Sequence, residues 1–353
     1  MASYPNSIYT PRERENRSGV VYDPAKKSVW FKEDADAIEN EIIAIENELI
    51  DIIDHHLKSI RDGHLYNFQS WKRLLATQPY KALEILKKVW TGAYGDKWCR
   101  ALTFDGTYIY VGLYIYPAKV IKIDPSTMTT VSSWTGAIGQ NYCCALTFDG
   151  TYIYAGLDLS PATVIKIDPS TMATVSTWTG ANDQYECYSL TFDGIYIYAG
   201  LYTSPATVIK IDPSTMATVS TWTGATGENV CLALTFDGTY IYAALGTSPA
   251  KVIKIDPSTM TTVSTWTGAT GQDSCYALTF DGTYIYAGLN ILPAKVIKID
   301  PSTMTTVSTW TGAYGENWCR ALTFDGTYIY IGLSYSPSKV VRKIMRDINE
   351  TGV

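Results

Sequence analysis

The sequence predicts an all-β fold, a six-bladed β-propeller with four antiparallel strands per blade. A unit that starts with W-T-G-A recurs every 44 residues, a period typical of propellers and solenoids, which repeat at about 20–50 residues. Each unit holds four short segments rich in β-branched and aromatic residues, and no helical period interrupts them. The six units begin at Trp90, Trp134, Trp178, Trp222, Trp266 and Trp310.

Each unit divides into four strands at recognisable turns. The first strand, C-R-A-L-T-F, ends at Asp105-Gly106, a pair typical of tight hairpins. The second is T-Y-I-Y-V-G-L, and the third, K-V-I-K-I, follows a short loop that ends in Pro117-Ala118. A turn at D-P-S-T leads into the fourth strand, T-T-V-S-S-W, because proline presets the turn backbone.

The two ends of the array predict a closed ring. The sixth copy supplies only three strands, since no further W-T-G follows K-V-V-R-K-I. One strand-like segment, Ala82–Trp90, precedes the first copy and is predicted to complete the last blade. Such closure removes the open sheet edges that invite aggregation. The predicted propeller therefore spans residues 82–345, and residues 346–353 form a tail.

The N-terminal region predicts three further segments. Residues 1–30 lack an apolar period and are expected to form an extended arm, and residues 61–81 a polar connector. Residues 31–60 predict an acidic helix with a heptad seam, and isoleucine at both seam positions favours a parallel trimer. A helix docked on its own domain is the alternative. The seam residues are Phe31, Ala35, Ile38, Ile42, Ile45, Leu49, Ile52 and His56.

Composition argues against several classes of protein. A net charge of −6 and a pI near 5.2 argue against nucleic-acid binding, which usually requires a basic face. The sequence contains no run of eighteen apolar residues, so no membrane insertion is expected. The N-terminus lacks the apolar core of a signal peptide.

The residues that recur in every copy have structural interpretations. Six of the seven cysteines recur at one position, too far apart for disulfides, and are expected to pack as free thiols between blades. The repeated tryptophans should be buried between blades, and Asp105 and its equivalents should form turns. Lys119 and Lys122 alternate with apolar residues and are expected to face solvent. No catalytic residue, cofactor or metal ligand is predicted.

Differences among the copies are concentrated in two loops. One joins the last strand of a blade to the first strand of the next, and the other joins strands two and three. Because successive strands are antiparallel, both loops should lie on one rim, where loops often carry function. Aromatic residues beside Asn, Asp and Gln suit sugars and protein epitopes. Drift in unpacked loops is the alternative. The candidate ligand-binding residues are Tyr94, Asp96, Trp98, Arg100, Tyr142, Tyr185, Tyr188, Glu228, Asn229, Asp273, Tyr276, Tyr314, Trp318 and Arg320.

Two resemblances to known families follow from particular motifs. The unit L-T-F-D-G-T-Y-I-Y-V-G…K-V-I-K-I-D-P-S-T-M resembles the blade of the YVTN and NHL propeller group, which implies the fold but spans enzymes, receptors and scaffolds. Residues 4–34 are similar, together with the acidic helix that follows, to leader segments of phage and prophage fibre-like proteins; they read Y-P-N-S-I-Y-T-P-R-E-R-E-N-R-S-G-V-V-Y-D-P-A-K-K-S-V-W-F-K-E-D. This second resemblance implies virion attachment by residues 1–30, trimerisation by residues 31–60 and a distal binding head.

The sequence therefore predicts a non-enzymatic binding head of a virion fibre-like protein, assembled in the host cytoplasm and exposed extracellularly. Its expected partners are a host-surface glycan or protein receptor, other virion proteins and two further copies of itself. One alternative is a lactonase-like hydrolase or lyase with a carboxylate-bound metal. All three histidines (His55, His56 and His64) precede the propeller, which excludes a histidine-dependent site within the ring. The other alternative is an intracellular protein-interaction scaffold.

Overall fold

The computed structural model describes residues 89–334 and 339–344. It divides into two compact units, Met1–Lys88 and Val89–Val353, and the described residues all belong to the second. The predicted arm, helix and connector, most of the closing strand and the C-terminal tail lie outside the described residues.

The described residues form six antiparallel sheets, in which each strand pairs with its neighbour in sequence. No helix among them is long and apolar enough to cross a membrane. The first sheet contains β1 (Cys99–Phe104), β2 (Ile109–Leu113), β3 (Lys119–Asp124) and β4 (Thr129–Thr135); the second β5 (Cys143–Phe148), β6 (Ile153–Leu157), β7 (Thr163–Asp168) and β8 (Ala173–Thr179); the third β9 (Cys187–Phe192), β10 (Ile197–Leu201), β11 (Thr207–Asp212) and β12 (Ala217–Thr223); the fourth β13 (Cys231–Phe236), β14 (Ile241–Leu245), β15 (Lys251–Asp256) and β16 (Thr261–Thr267); the fifth β17 (Cys275–Phe280), β18 (Ile285–Leu289), β19 (Lys295–Asp300) and β20 (Thr305–Thr311); and the sixth β21 (Cys319–Phe324), β22 (Tyr328–Leu333) and β23 (Lys339–Ile344).

The architecture is the predicted six-bladed β-propeller. The first strands of successive blades, from β1 through β5 to β21, lie beside one another and so line the central axis. The fourth strand predicted for the last blade falls almost wholly outside the described residues. Its end, Trp90, is described and donates its indole N–H to Thr130 Oγ1 at 2.9 Å. Trp134 makes the same bond to Thr174 in the next blade at 2.8 Å, so Trp90 occupies the position that its place in the repeat predicts.

Apolar side chains fill the space between consecutive blades. At the junction of blades two and three, Tyr154, Val164 and Trp178 pack against Cys187 and Ile209. The predictions of buried tryptophans and free, buried cysteines are confirmed at five positions each, whereas Trp90 is only partly buried and Cys99 is exposed. Gly156 and Cys187 are in close contact at this junction, since a Cβ on Gly156 would lie 2.6 Å from Cys187 Sγ. Small residues are therefore needed on both sides. The junctions thus depend on close approach of the second strand to the next blade's first strand.

The prediction that the second lysine of the third strand faces solvent is wrong. Lys166 is 8% exposed; its Nζ lies 4.0 Å from the centroid of the Tyr152 ring and donates a 2.7 Å hydrogen bond to the Pro213 carbonyl of the next blade. The aliphatic stem is buried while the ammonium is satisfied by a π face and a carbonyl. The same arrangement recurs at Lys122, Lys210 and Lys254, and Lys298 makes the corresponding ring contact with Tyr284.

The Asp-Gly turns have the predicted structural role. Asp149 accepts hydrogen bonds from the backbone N–H groups of Thr151 and Tyr152, and its other oxygen accepts one from the Tyr154 hydroxyl at 2.7 Å. Gly150 has a φ of 94°, which glycine adopts readily. The second strand starts two residues later than predicted, at Ile153, because these bonds hold Thr151 and Tyr152 in the turn.

Apolar side chains are exposed at one junction, the one between the last blade and the first. Leu102 in β1 is 62% exposed, whereas the equivalent Leu146 is 8% exposed. On the last blade Val340 is 72% exposed, whereas the equivalent Val296 is fully buried. Among the described residues, the first face of blade one and the last face of blade six therefore do not bury each other as the other blade faces do.

Candidate functional site

The structure brings the two variable loops together on one rim, as predicted. The N–H of Tyr142, in the loop entering blade two, donates to the Ile115 carbonyl in the second loop of blade one. The carbonyl of Tyr142 accepts from the N–H of Asp158 in its own blade. Equivalent bonds recur along the array, so the rim has one backbone framework on which side chains differ.

The residue before each first strand has a left-handed backbone. Trp98 has a φ of 51° and Tyr142 a φ of 57°, and Val230 at the same position has a φ of 45°. Such values are uncommon for residues with a Cβ, above all for β-branched ones, and they persist where surrounding structure enforces them. From Tyr142 onward two backbone hydrogen bonds flank this residue and hold the conformation, so each side chain is kept at the rim.

A β-bulge follows two residues later. The pairing of β1 with β2 shifts register between Cys99 and Ala101, which leaves Arg100 without a partner. Bulges redirect side chains and are frequent next to functional sites. The bulge recurs in every blade. Position 100 and its equivalents therefore lie at the mouth of the axis, where the first strands begin.

Three side-chain positions per blade define a mouth of the propeller. They are the left-handed residue, the bulge residue and the residue that follows the second strand. In chain order the six sets are Trp98, Arg100 and Tyr114; Tyr142, Cys144 and Asp158; Glu186, Tyr188 and Tyr202; Val230, Leu232 and Gly246; Ser274, Tyr276 and Asn290; and Trp318, Arg320 and Ser334.

Blades one to three form a connected cluster of rings at this mouth. The Arg100 guanidinium carbon lies 5.1 Å from the ring centroids of both Tyr114 and Tyr188, which belong to different blades. Tyr114 stacks on Tyr142 at 4.6 Å, and Trp98 meets the Tyr114 ring edge-on at 6.5 Å. We call this set, with Asp158, Glu186 and Tyr202, the tyrosine cluster.

Two carboxylates give the tyrosine cluster its acidic side. The Tyr114 hydroxyl donates a 2.6 Å hydrogen bond to Asp158 Oδ2, and this bond raises the pKa of Tyr114 above its ordinary value. Burial, and then the charge of Asp158, raise the pKa of Glu186, while Arg100 acts in the opposite direction. Burial also raises the pKa of Tyr188 to about 12.

Blades five and six form a second group around a cation. The Arg320 guanidinium carbon lies 4.2 Å from the Tyr276 ring centroid. Asn290, at the position of Asp158, has a buried side-chain oxygen without a hydrogen-bond partner among the described residues. Blade four lies between this group and the tyrosine cluster, and its three mouth residues, Val230, Leu232 and Gly246, carry no polar side chain. Leu232 is buried, and a Cβ on Gly246 would lie 2.5 Å from a methyl group of Val230.

The remaining predicted residues lie on the same rim but away from the mouth. Tyr94 and Tyr314 occupy the turn tips and are fully exposed, and Tyr185 is partly exposed. Asn229 accepts a hydrogen bond from the Ser204 hydroxyl, and Asp273 accepts one from Ser248. These contacts join each loop to the preceding blade and leave the aromatic tips uncovered.

Two predicted residues serve the loop itself. Asp96 accepts a hydrogen bond from the Ala93 N–H and forms a 2.9 Å ion pair with Lys119. Glu228 is largely buried and forms the corresponding pair with Lys251 at 3.0 Å. In these blades the lysine that starts the third strand therefore pairs with an acidic residue of the loop. The prediction was that this lysine faces solvent.

Sequence reasoning missed four members of the tyrosine cluster: Tyr114, Asp158, Glu186 and Tyr202. The signal was present, because three of them follow the second strand, where the six copies read Tyr, Asp, Tyr, Gly, Asn and Ser. Glu186 occupies the position of the predicted Trp98. The described residues contain no group of three or more His, Cys, Asp or Glu side chains arranged to hold a metal ion.

The six sheets define this protein as a β-propeller, and the loops on one of its rims differ in sequence from blade to blade. Among solved structures, it is similar to one described as "Structure of U3-55K", with 14% identity and a TM-score of 0.57 over 69% of this chain and 76% of that chain. This likeness concerns the fold alone. Neither a protein-family model nor a curated protein matches the sequence.

Proposed function

We propose that this chain is the non-enzymatic binding head of a virion fibre-like protein and that its variable rim recognises a host-surface receptor. The observation that carries the proposal is the contrast between a repeated backbone and differing side chains at one mouth. Scaffolds of this kind position recognition residues on loops. Aromatic and Arg residues occupy half of the mouth positions and are among the residues most enriched at binding hot spots.

The exposed aromatic tips support the same proposal. Tyr94, Ile138 and Tyr314 occupy one turn position in blades one, two and six, and nothing among the described residues covers them. The blades do not require them, because Asn182, Thr226 and Thr270 fill the same position elsewhere. Exposed apolar groups on one rim are typical of an interaction surface.

The virion assignment rests on the N-terminal resemblance. In this proposal residues 1–30 attach the chain to other virion proteins, residues 31–60 trimerise it, and the propeller faces the host. Assembly then takes place in the host cytoplasm, and the head is exposed extracellularly. The receptor is a glycan or a protein on the host surface.

Replacement of Trp98 and Trp318 by alanine tests the binding rim. We expect each substitution to weaken attachment to whole bacterial cells or to a printed glycan array about 30-fold, since a hot-spot tryptophan contributes about 2 kcal/mol. Ile195→Ala is the control, because Ile195 is an apolar residue as exposed as Trp98 and lies in the hairpin turn of the opposite rim. Near-ultraviolet circular dichroism checks the fold. Unchanged attachment by both tryptophan variants would overturn the proposal.

A further inference from the structure

Opposite charges in the tyrosine cluster are held near each other but are not paired. The Arg100 guanidinium lies between two rings, and no carboxylate of the described residues approaches it within 4.0 Å. Arg100 is nevertheless close enough to Glu186 and Asp158 to influence the pKa of Glu186. The cluster thus presents the guanidinium N–H donors of Arg100 on one side and the carboxylate oxygens of Glu186 and Asp158 on the other.

The acceptors are nearly unused within the described part of the chain. Asp158 receives one hydrogen bond, from the Tyr114 hydroxyl to Oδ2, and no side-chain donor reaches the Glu186 carboxylate. Glu186 also adopts a φ of 45°, and the hydrogen bond from its N–H to the Leu159 carbonyl holds it there. An unpaired, partly desolvated carboxylate is costly unless a ligand supplies donors.

Few ligand chemistries satisfy both sides of this cluster. An anionic ligand would pair with Arg100 but be repelled by the carboxylates of Asp158 and Glu186. A cationic ligand would pair with the carboxylates but be repelled by Arg100 and leave its N–H donors unused. A polyhydroxylated ring avoids both, because each hydroxyl can accept from a guanidinium N–H and donate to a carboxylate oxygen. Its apolar C–H face also matches the faces of Tyr188 and Tyr202, whose centroids lie 4.9 Å apart.

We propose that the tyrosine cluster binds one uncharged sugar ring, with Arg100 donating to its hydroxyls and Glu186 and Asp158 accepting from them. This inference rests on the proposed function and names its ligand class. Within the described blades, this combination of side chains occurs once. Blade four is apolar at the mouth, blade five carries Ser274 and Asn290 where the cluster has Glu186 and Asp158, and blade six carries Trp318 and Ser334 there.

A printed array of uncharged and sialylated glycans, probed with the full-length protein, tests the ligand class. We expect signals on uncharged glycans, and titration of the strongest of them in solution should give one site per chain. Glu186→Gln should weaken binding about tenfold, since hydrogen bonds to a charged acceptor are about 1–1.5 kcal/mol stronger than those to a neutral one. Tyr202→Ala should weaken it by a similar factor because it removes a ring face.

Asp183→Asn is the matched control, since it removes an exposed carboxylate of the same loop that lies outside the tyrosine cluster, and it should bind as the unaltered protein does. Signals confined to sialylated glycans, no signal on any glycan, or unchanged binding by Glu186→Gln would overturn the inference. The proposed function fails separately: if the Trp318 variant, which lies outside the tyrosine cluster, loses attachment to cells while Glu186→Gln and Tyr202→Ala keep it, the rim binds a receptor but the tyrosine cluster does not bind a sugar.

Discussion

Lys166 shows how a charged residue becomes part of the core of this fold. Its ammonium group leaves water at the blade junction but gains the Tyr152 ring and the Pro213 carbonyl. Neither partner is apparent in the local sequence, because Pro213 lies 47 residues further along, in the next blade. A period-two pattern assigns the side chain to a face of the sheet, but it cannot show that the next blade covers that face.

Substitution of Lys166 by alanine tests this role. We expect the free energy of unfolding to fall by about 2 kcal/mol, because a buried carbonyl loses its charged donor and a cation–π contact is lost. Chemical denaturation measures the change. Lys97→Ala is the control; Lys97 is exposed in a loop and should change stability by less than about 0.5 kcal/mol. Equal effects of the two substitutions would show that the Lys166 bridge does not stabilise the junction.

Other residue roles could have been predicted by comparing the copies pairwise. Where the loop carries Asp96 or Glu228, the third strand starts with lysine, and where it carries Gln140 or Gln184, the third strand starts with threonine. Matched changes 23 residues apart indicate contact, and the ion pairs confirm it. Blade five, with glutamine and Lys295, departs from this rule. Their place in a variable loop thus predicted that Asp96 and Glu228 bind a ligand. Their ion pairs with lysine indicate instead that they support the loop.

At the scale of elements, strand order and turns followed from the sequence, but the bulge did not. The Asp-Gly and Asp-Pro turns have local signatures that fix where strands end. The register shift at Cys99 and the left-handed Trp98 depend on hydrogen bonds to the preceding blade or across the sheet, which local propensity does not encode. The fold class was therefore predictable, whereas the grouping of side chains in the tyrosine cluster was not.

The helix predicted for residues 31–60 gives a separate test of assembly. If isoleucines form a three-stranded seam, light scattering of the full-length protein should give three times the 39.0 kDa chain mass. Ile42→Lys and Ile45→Lys together should reduce the particle to single chains, because each places a charge in the seam. A single-chain mass for the unaltered protein at micromolar concentrations would refute the predicted trimer.

At the scale of the whole molecule, the junction between the last and the first blade differs from the five others. Cys99 lies at this junction and is exposed, whereas the other six cysteines are buried. Burial raises the pKa of the Cys231 thiol to about 12, so that group is both covered and protonated. Thiol accessibility therefore reports directly on how far this junction is covered in solution.

Labelling with a thiol-specific reagent at a pH of about 8.5 should modify one cysteine of the native protein rapidly and the other six only on unfolding. The variant Cys99→Ser should lose the rapid phase, and Cys275→Ser should retain it. If Cys99 reacts as slowly as the buried thiols, the first and last blades cover each other in solution, and the exposure of Leu102 and Val340 does not persist there.

The uniformity of the five tight junctions has a consequence for how such a protein can change over generations. Blades one to four each donate the same tryptophan hydrogen bond to the following blade, so the contacts between neighbouring blades are repeated with the sequence. Because the six copies are nearly identical in amino-acid sequence, the exchange of one copy for another would leave these contacts intact. Each exchange would bring a different set of three mouth residues with it, and the chain could acquire a new binding specificity in one genetic step.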